Sequence, residues 1–419
     1  MALRVPRPRG KFDSERFEST GGAPEPRPAP RETVLPKELD VAGLPEGEWI
    51  ARGVYRMERR FRSGSAYGRN VLTPPQESGA ALKPWGGSEC PVFLDTETTG
   101  LSGGTGTYAF LIGLGICAED CLHVVQLFLA GPAWERAWLD AVENELPRGC
   151  GLVTYNGRAF DLPLLLTRCT LARRVPSWRY APHMDLLLLA RHFYRGRLAS
   201  CSLSSIEQNV LGLRRSGEDV PGSEIPWMYT RFLRDSDATP LRGVFYHNTL
   251  DIVSLAVLQR RIAAMASGDC GCAADMVRAG DLWAAKGCAD KARETWKAAL
   301  EFTRDRHVAL LRLAENERAA GNYRAAYGYY KESLATERRP VRTLETMAKI
   351  EEHRFRAPSA ALAHAREALQ WLERHRIFKD KNWEADRASL RRRIERLERK
   401  ISRAGGGGQD GNDDGGEEI

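Results

Sequence analysis

The chain has 419 residues, enough for two or three domains, with 42% hydrophobic and 28% charged residues, an ordinary globular balance. Its formal charge of +7 favours an anionic partner without identifying one. Nine cysteines without a Cys-x-x-Cys pair argue against a zinc site or disulfide scaffold and for a reducing, cytoplasmic setting.

The Arg/Pro-rich N-terminus lacks the apolar stretch of a signal peptide, and residues 1–45 read as a disordered arm. Residues 46–90 hold Trp49, Tyr55, Phe61 and Tyr67 and are expected to be a lead-in that covers a following sheet. In Val92-Phe93-Leu94-Asp95-Thr96-Glu97 a buried strand runs into an Asp-x-Glu pair. Strand alternation puts Asp95 and Glu97 on one face. Two adjacent carboxylates repel and resist burial, so such a pair suits a cation site, and Mg²⁺ with a phosphate substrate fits it. Tyr108 to Cys117 and Leu122 to Ala130 read as paired strands. Ala133 to Leu146 reads as a helix, with Trp134 and Trp138 four apart. Cys117, Cys150 and Cys169 lie in apolar surroundings and read as core thiols.

Leu152 to Tyr155 reads as a strand, and Asn156-Gly157 as a turn. A helix follows from Leu162 to Leu171, which places Asp161 at the strand-to-helix junction. Ser204-Ser205-Ile206-Glu207 reads as a capping box opening a helix that ends near Gly212. Arg173-Arg174, Arg191 with Arg195 and Arg197, and Arg214-Arg215 are either phosphate contacts or solvated faces. The run Leu186 to Leu189 is too short to span a bilayer. Ile252, Leu255, Ala256 and Leu258 make the apolar face of a helix on which His247 and Asp251, four apart, share a side.

Asp95-x-Glu97, the Asn156 to Asp161 segment and His247-x-x-x-Asp251, in that order, resemble the three motifs of the DEDD exonuclease superfamily of the RNase H-like fold. Thr99 to Tyr108, with His183-Met184-Asp185-Leu186 and Glu224-Ile225-Pro226-Trp227, is similar to the YprB-type branch. The resemblance covers roughly residues 45–265 and implies a mixed α/β RNase H-like sheet flanked by helices. It implies a nuclease, with a 3′–5′ exonuclease as the finer expectation. Asp95, Glu97, Asp161 and Asp251 would hold two divalent ions, Mg²⁺ or Mn²⁺. Thr98 and Asn156 would bind the terminal nucleotide or orient the carboxylates. The superfamily carries a Tyr four residues before its last Asp or a His five before it. Here His247 stands four before Asp251 and Tyr246 five before. Helix geometry favours His247 as the group that orients or deprotonates water, with Tyr246 the second candidate. His183 and Asp185 either add an outer contact to the site or pack and cap a helix. Gly103, Gly104 and Gly106 either form a tight turn or let backbone approach a phosphate. The substrate would be a DNA or RNA 3′ end. A non-catalytic nucleic-acid-binding scaffold on the same fold is the alternative.

From about residue 270 the chemistry gives way to a repeat. Gly287, Ala292, Trp296 and Leu300 recur 34 residues on as Gly321, Ala326, Tyr330 and Leu334, and a weaker copy ends at Leu369. The period resembles tetratricopeptide repeats, helix pairs stacked in a solenoid, with a possible protein partner. Leu390, Ile394, Leu397 and Ile401 mark a capping helix over 383–402. The expected division is an arm (1–45), a nuclease domain (46–268), all-α repeats (269–403) and a Gly-rich acidic tail (404–419).

Overall fold

The computed structural model describes residues 39–73, 81–100, 106–118, 120–215, 219–375 and 382–406. Gly103, Gly104, most of the N-terminal arm and the acidic tail lie outside them. Nine strands are described: β1 (Glu48–Ala51), β2 (Val54–Arg62), β3 (Ala66–Tyr67), β4 (Asn70–Val71), β5 (Pro91–Thr98), β6 (Ala109–Cys117), β7 (Cys121–Leu129), β8 (Gly151–Thr154) and β9 (His183–Asp185). Seven of them form one sheet in the order β1-β2-β7-β6-β5-β8-β9, while β3 and β4 pair apart. The strands from β1 through β2, β7 and β6 to β5 are antiparallel neighbours, and β5, β8 and β9 run parallel. Each parallel step contains a helix, the crossover that parallel pairing requires.

The α-helices described in this region are α1 (Glu135–Glu145), α2 (Asp161–Leu171), α3 (Leu186–Tyr194), α4 (Leu203–Ile206), α5 (Ile225–Asp235) and α6 (Arg242–Ala266). Val92 and Leu94 of β5 face a core shared with Trp138 of α1, Leu165 of α2 and Tyr229 of α5. Phe93 faces the opposite core, with Phe193 of α3 and Ile252 and Leu255 of α6. β5 is therefore covered on both faces, which explains its nearly continuous apolar start. This is the expected mixed α/β sheet flanked by helices.

Two local expectations are corrected. The lead-in does not merely cover the sheet, because β1 and β2 extend it. Tyr55 and Met57 of β2 are buried, while the alternate residues Arg56 and Glu58 bond Glu145 (2.7 Å) and His123 (3.0 Å). Such alternation marks a strand with two different faces. The capping box is displaced as well: Ser202 caps α4, accepting from the Ser205 amide at 3.3 Å. Glu207 begins a π-turn and is buried rather than folding back on a cap. Cys150 and Cys169 are buried, Cys117 is partly buried, and all nine thiols are unpaired. Burial pushes Cys117 up to about 12 and Cys150 and Cys169 up to about 11.

The remainder is all-helical: α7 (Ala273–Ala284), α8 (Ala289–Ala298), α9 (Arg306–Ala319), α10 (Tyr323–Leu334), α11 (Val341–Ile350), α12 (Pro358–Arg374) and α13 (Trp383–Gly406). Gly287 and Gly321 take φ of 76° and 82° in the turns that close the first two helix pairs. Only glycine adopts that region at low cost, so the repeat of Gly every 34 residues is a repeat of turns. Ala292, Ala326 and Ala361 are fully buried where the paired helices meet, and Leu390 and Leu397 bury the inner stripe of α13. Helix α7 packs on the sheet region. The Trp283 indole donates to the Ala266 carbonyl (2.8 Å), and the Trp85 and Trp283 rings meet edge-on at 4.7 Å. Among the described residues, no helix is long and apolar enough to cross a membrane.

Candidate active site

Asp95 and Glu97 stand on the α6-facing side of β5, two and four residues after Phe93. Asp161 opens α2, directly after the turn that follows β8. Asn156 holds that turn with a left-handed φ of 67°. Its backbone N–H donates to Asp185 (2.8 Å), whose carboxylate also caps α3 by accepting from the Leu187 backbone N–H (3.1 Å). Asp185 thus ties the second motif to α3, and His183 bonds the Thr154 hydroxyl (2.9 Å). Asp251 lies on α6 one turn after His247, whose Nε2 is 3.5 Å from an Asp251 oxygen.

Glu97, Asp161 and Asp251 are buried, at 8%, 5% and 8% exposure, and Asp95 is partly exposed. Burial, then the charges of Asp251, Glu97 and Asp161, hold Asp95 well above the usual carboxylate range. Burial, then Asp251 and Asp161, do the same to Glu97. Burial raises Asp161 to about 6, against the opposing pull of its bond from the Thr96 hydroxyl. Asp251 is also raised, because burial outweighs the nearby Arg215 and His247. The four carboxylates are therefore an electrostatic unit, and charging them together in a dry site is unfavourable without a cation.

Among the described residues, the arginine that contacts this set is Arg215. Its guanidinium contacts Asp251 and forks onto buried Glu207, with Nε and Nη2 donating at 2.8 and 2.7 Å. Ser254 donates to Glu207, and the Tyr67 hydroxyl is 2.7 Å from Ser254. His247 Nδ1 lies 2.7 Å from Asp219 and 3.0 Å from Arg215 Nη1. Of the arginine clusters, Arg174 pairs with Asp140, Arg197 with Asp275, and Arg215 enters the carboxylate site. Thr98 donates to the Gly100 carbonyl at 2.8 Å, and Tyr246 is half-buried.

The donor set, carboxylate oxygens only, suits a hard divalent ion. Among the described residues, no group of three or more His, Cys, Asp or Glu side chains is arranged to hold a metal. The reason is visible in the contacts. Asp161 bonds Thr96, whose side chain leaves β5 on the face opposite Asp95, and Asp251 is engaged by Arg215. Charge and donor type fit a metal, and Arg215 engages one of the two Asp251 oxygens.

The sequence assigned no part to Thr96, Gln126, Asp219 or Asn248, and gave Glu207 only a helix cap. A usable signal was present for Asn248. Gly113 and Gly115 interrupt an apolar strand at period two, the mark of close approach by another element. That element is α6 at Asn248 and Ile252.

Residues 92–263 match the model of the RNase_H superfamily. Over 167 residues the chain is 41% identical to the Bacillus subtilis (strain 168) protein YprB, whose printed name calls it uncharacterized. The matched stretch is 40% of this chain, which spans about 40% of the length of that curated relative. With the mixed sheet and its flanking helices, these matches establish that residues 92–263 form a domain of the RNase_H superfamily.

Proposed function

We propose that the domain is a metal-dependent nuclease that hydrolyses phosphodiester bonds of DNA or RNA, working from a 3′ end. The observation that carries this reading is the carboxylate cluster itself: four acids, each raised by burial, with a single arginine inserted at Asp251. Asp95, Glu97, Asp161 and Asp251 would hold Mg²⁺ or Mn²⁺, two ions in the full site. The ions would supply an activated water and a counter-charge for the leaving oxygen. His247, in contact with Asp251 and Asp219, orients water or takes its proton, and imidazole changes charge near neutral pH. Arg215, held by Glu207, would remain beside Asp251 as a fixed positive charge facing the phosphate or the carboxylates. Thr98 ends β5 and Asn156 lies in the turn after β8, where a terminal nucleotide would enter. The nine unpaired thiols support a reducing compartment such as the cytoplasm. The helix pairs of the C-terminal region support a tetratricopeptide-like array that binds a protein partner.

A second reading, a non-catalytic nucleic-acid-binding scaffold, draws on the Arg215–Asp251 contact, in which an arginine fills a cation position. One experiment separates the two. Single- and double-stranded DNA and RNA, labelled at the 3′ or 5′ end, are incubated with the full chain and Mg²⁺ or Mn²⁺. Metal-dependent loss of 3′ label, absent from Asp95→Asn/Glu97→Gln, supports the nuclease. Binding without cleavage on every substrate supports the scaffold. In the same samples metal should stabilise the wild type by about 2.7 kcal/mol at a hundredfold excess over Kd, and not the double variant.

A further inference from the structure

Asp95, Gly113 and Gln126 are cross-strand neighbours on β5, β6 and β7, in register along one row of the sheet. Asn248 of α6 lies over the middle of that row. A Cβ on Gly113 would stand 2.3 Å from the Asn248 oxygen, so the missing side chain is the space the amide occupies. From there Asn248 reaches both outer members of the row. Its Nδ2 donates to the Asp95 carboxylate at 2.9 Å, and its oxygen accepts from Gln126 Nε2, also at 2.9 Å. Gln126 Nε2 donates as well to the Phe245 carbonyl at 2.9 Å, one turn earlier on the same helix. Both amides are dry, with Asn248 at 0% and Gln126 at 3% exposure.

The bonds have a direction. An amide has a donor end and an acceptor end, and turned over it would set its oxygen against the Asp95 carboxylate. Gln126, with its own amide committed to Phe245, presents N–H to Asn248 and so fixes which end faces Asp95. We propose that Asn248 is a positioning residue, oriented by Gln126, that holds the Asp95 carboxylate in place against repulsion from Glu97, Asp161 and Asp251 and so prepares it to ligate a divalent metal. The proposal rests on the nuclease reading of the same site. Residues that orient metal ligands typically change metal affinity about 10–100-fold when removed.

The test uses the full chain and Mn²⁺, with free Mn²⁺ read by its electron paramagnetic resonance signal and folding by a metal-free melting curve. Asn248→Leu keeps the volume and removes the bonds to Asp95, its carbonyl at 3.3 Å included, and the one from Gln126, which retains Phe245 as its acceptor. Gln126→Met leaves Asn248 in place and frees it to turn over. Both variants should bind Mn²⁺ at least about tenfold more weakly than wild type. Cleavage by Asn248→Leu should recover as Mn²⁺ is raised, which a purely structural role would not produce. If Asn248→Leu fails to fold, Gln126→Met decides by the same criterion. Folded variants that bind Mn²⁺ within about twofold of a wild type that binds and cuts overturn the positioning role alone. A wild type that neither binds Mn²⁺ nor cuts overturns the nuclease reading and this role with it.

Discussion

Buried carboxylates occur in both halves of the described chain, and their surroundings differ. In the helical region Glu352 is 2% exposed and is met by Arg393 at 3.1 Å and Arg396 at 2.8 Å. Its neighbour Glu351 accepts from the Tyr327 hydroxyl at 2.6 Å and lies 2.9 Å from His364. These acids join α13 and α12 to the turn after α11, and two guanidinium groups match the charge of Glu352. At the sheet, the charges of Asp95, Glu97, Asp161 and Asp251 repel one another, and Arg215 reaches Asp251 among them. Matched acids hold the array together. Unmatched acids weaken the metal-free fold, and a cation relieves that repulsion.

The comparison breaks most sharply at Asp161. Asp161→Asn should reduce cleavage to the detection floor while the metal-free protein melts no lower than wild type near neutral pH. The sign follows from the raised carboxyl: its protonated form is favoured in the fold, so that stability is present below about pH 4 and lost as pH rises through about 6. Metal-free melting curves of wild type and variant should therefore diverge across that window, with the wild type falling further. Near-wild-type cleavage by a folded variant would remove Asp161 from the site.

Glu352→Gln is the counterpart and should have the opposite sign. Removing one partner of a buried ion pair costs about 3–5 kcal/mol because the other charge is left unpaired. Arg393 is largely buried, whereas Arg396 is about half exposed, so the lower end of that range is expected. Urea titration reads this directly, and a gain in stability would show that the array does not depend on this match.

At the next level, His247→Ala should lower kcat about a hundredfold or more, and Tyr246→Phe much less. The contrast rests on the 3.5 Å contact between His247 and Asp251. The His247→Ala deficit should shrink at alkaline pH, where hydroxide replaces the assisted water. A crippled Tyr246→Phe beside a mild His247→Ala would reverse the assignment.

The smallest effect sharpens the boundary between the two halves. A chain ending at Gly268 keeps every carboxylate of the site and should retain metal-dependent cleavage. It loses Trp283 from Trp85 and from the Ala266 carbonyl, so its melting temperature should fall by several degrees. A folded but inactive fragment would show that the helical array takes part in the groove.

Much of this architecture was legible along the chain. Period-two and helical patterning marked β5 to β8, α2 and α6, because apolar alternation follows from which face is buried. Glycines 34 residues apart marked the helix turns, because a left-handed φ favours glycine. The same patterns put Asp95 and Glu97 on a strand, Asp161 at a helix start and Asp251 on a helix face shared with His247. What each side chain touches was decided by the tertiary structure. Glu207 read as a capping residue in its own segment, yet it holds Arg215 against Asp251, 36 residues beyond that arginine. Asn248 is an unremarked polar residue on a helix until Gly113 lets α6 close onto the sheet and Gln126 turns its amide toward Asp95. Local sequence determines periodicity and turn chemistry because those depend on neighbours within a few residues. Pairing, amide direction and mutual carboxylate repulsion depend on groups brought together only when the sheet and helices pack.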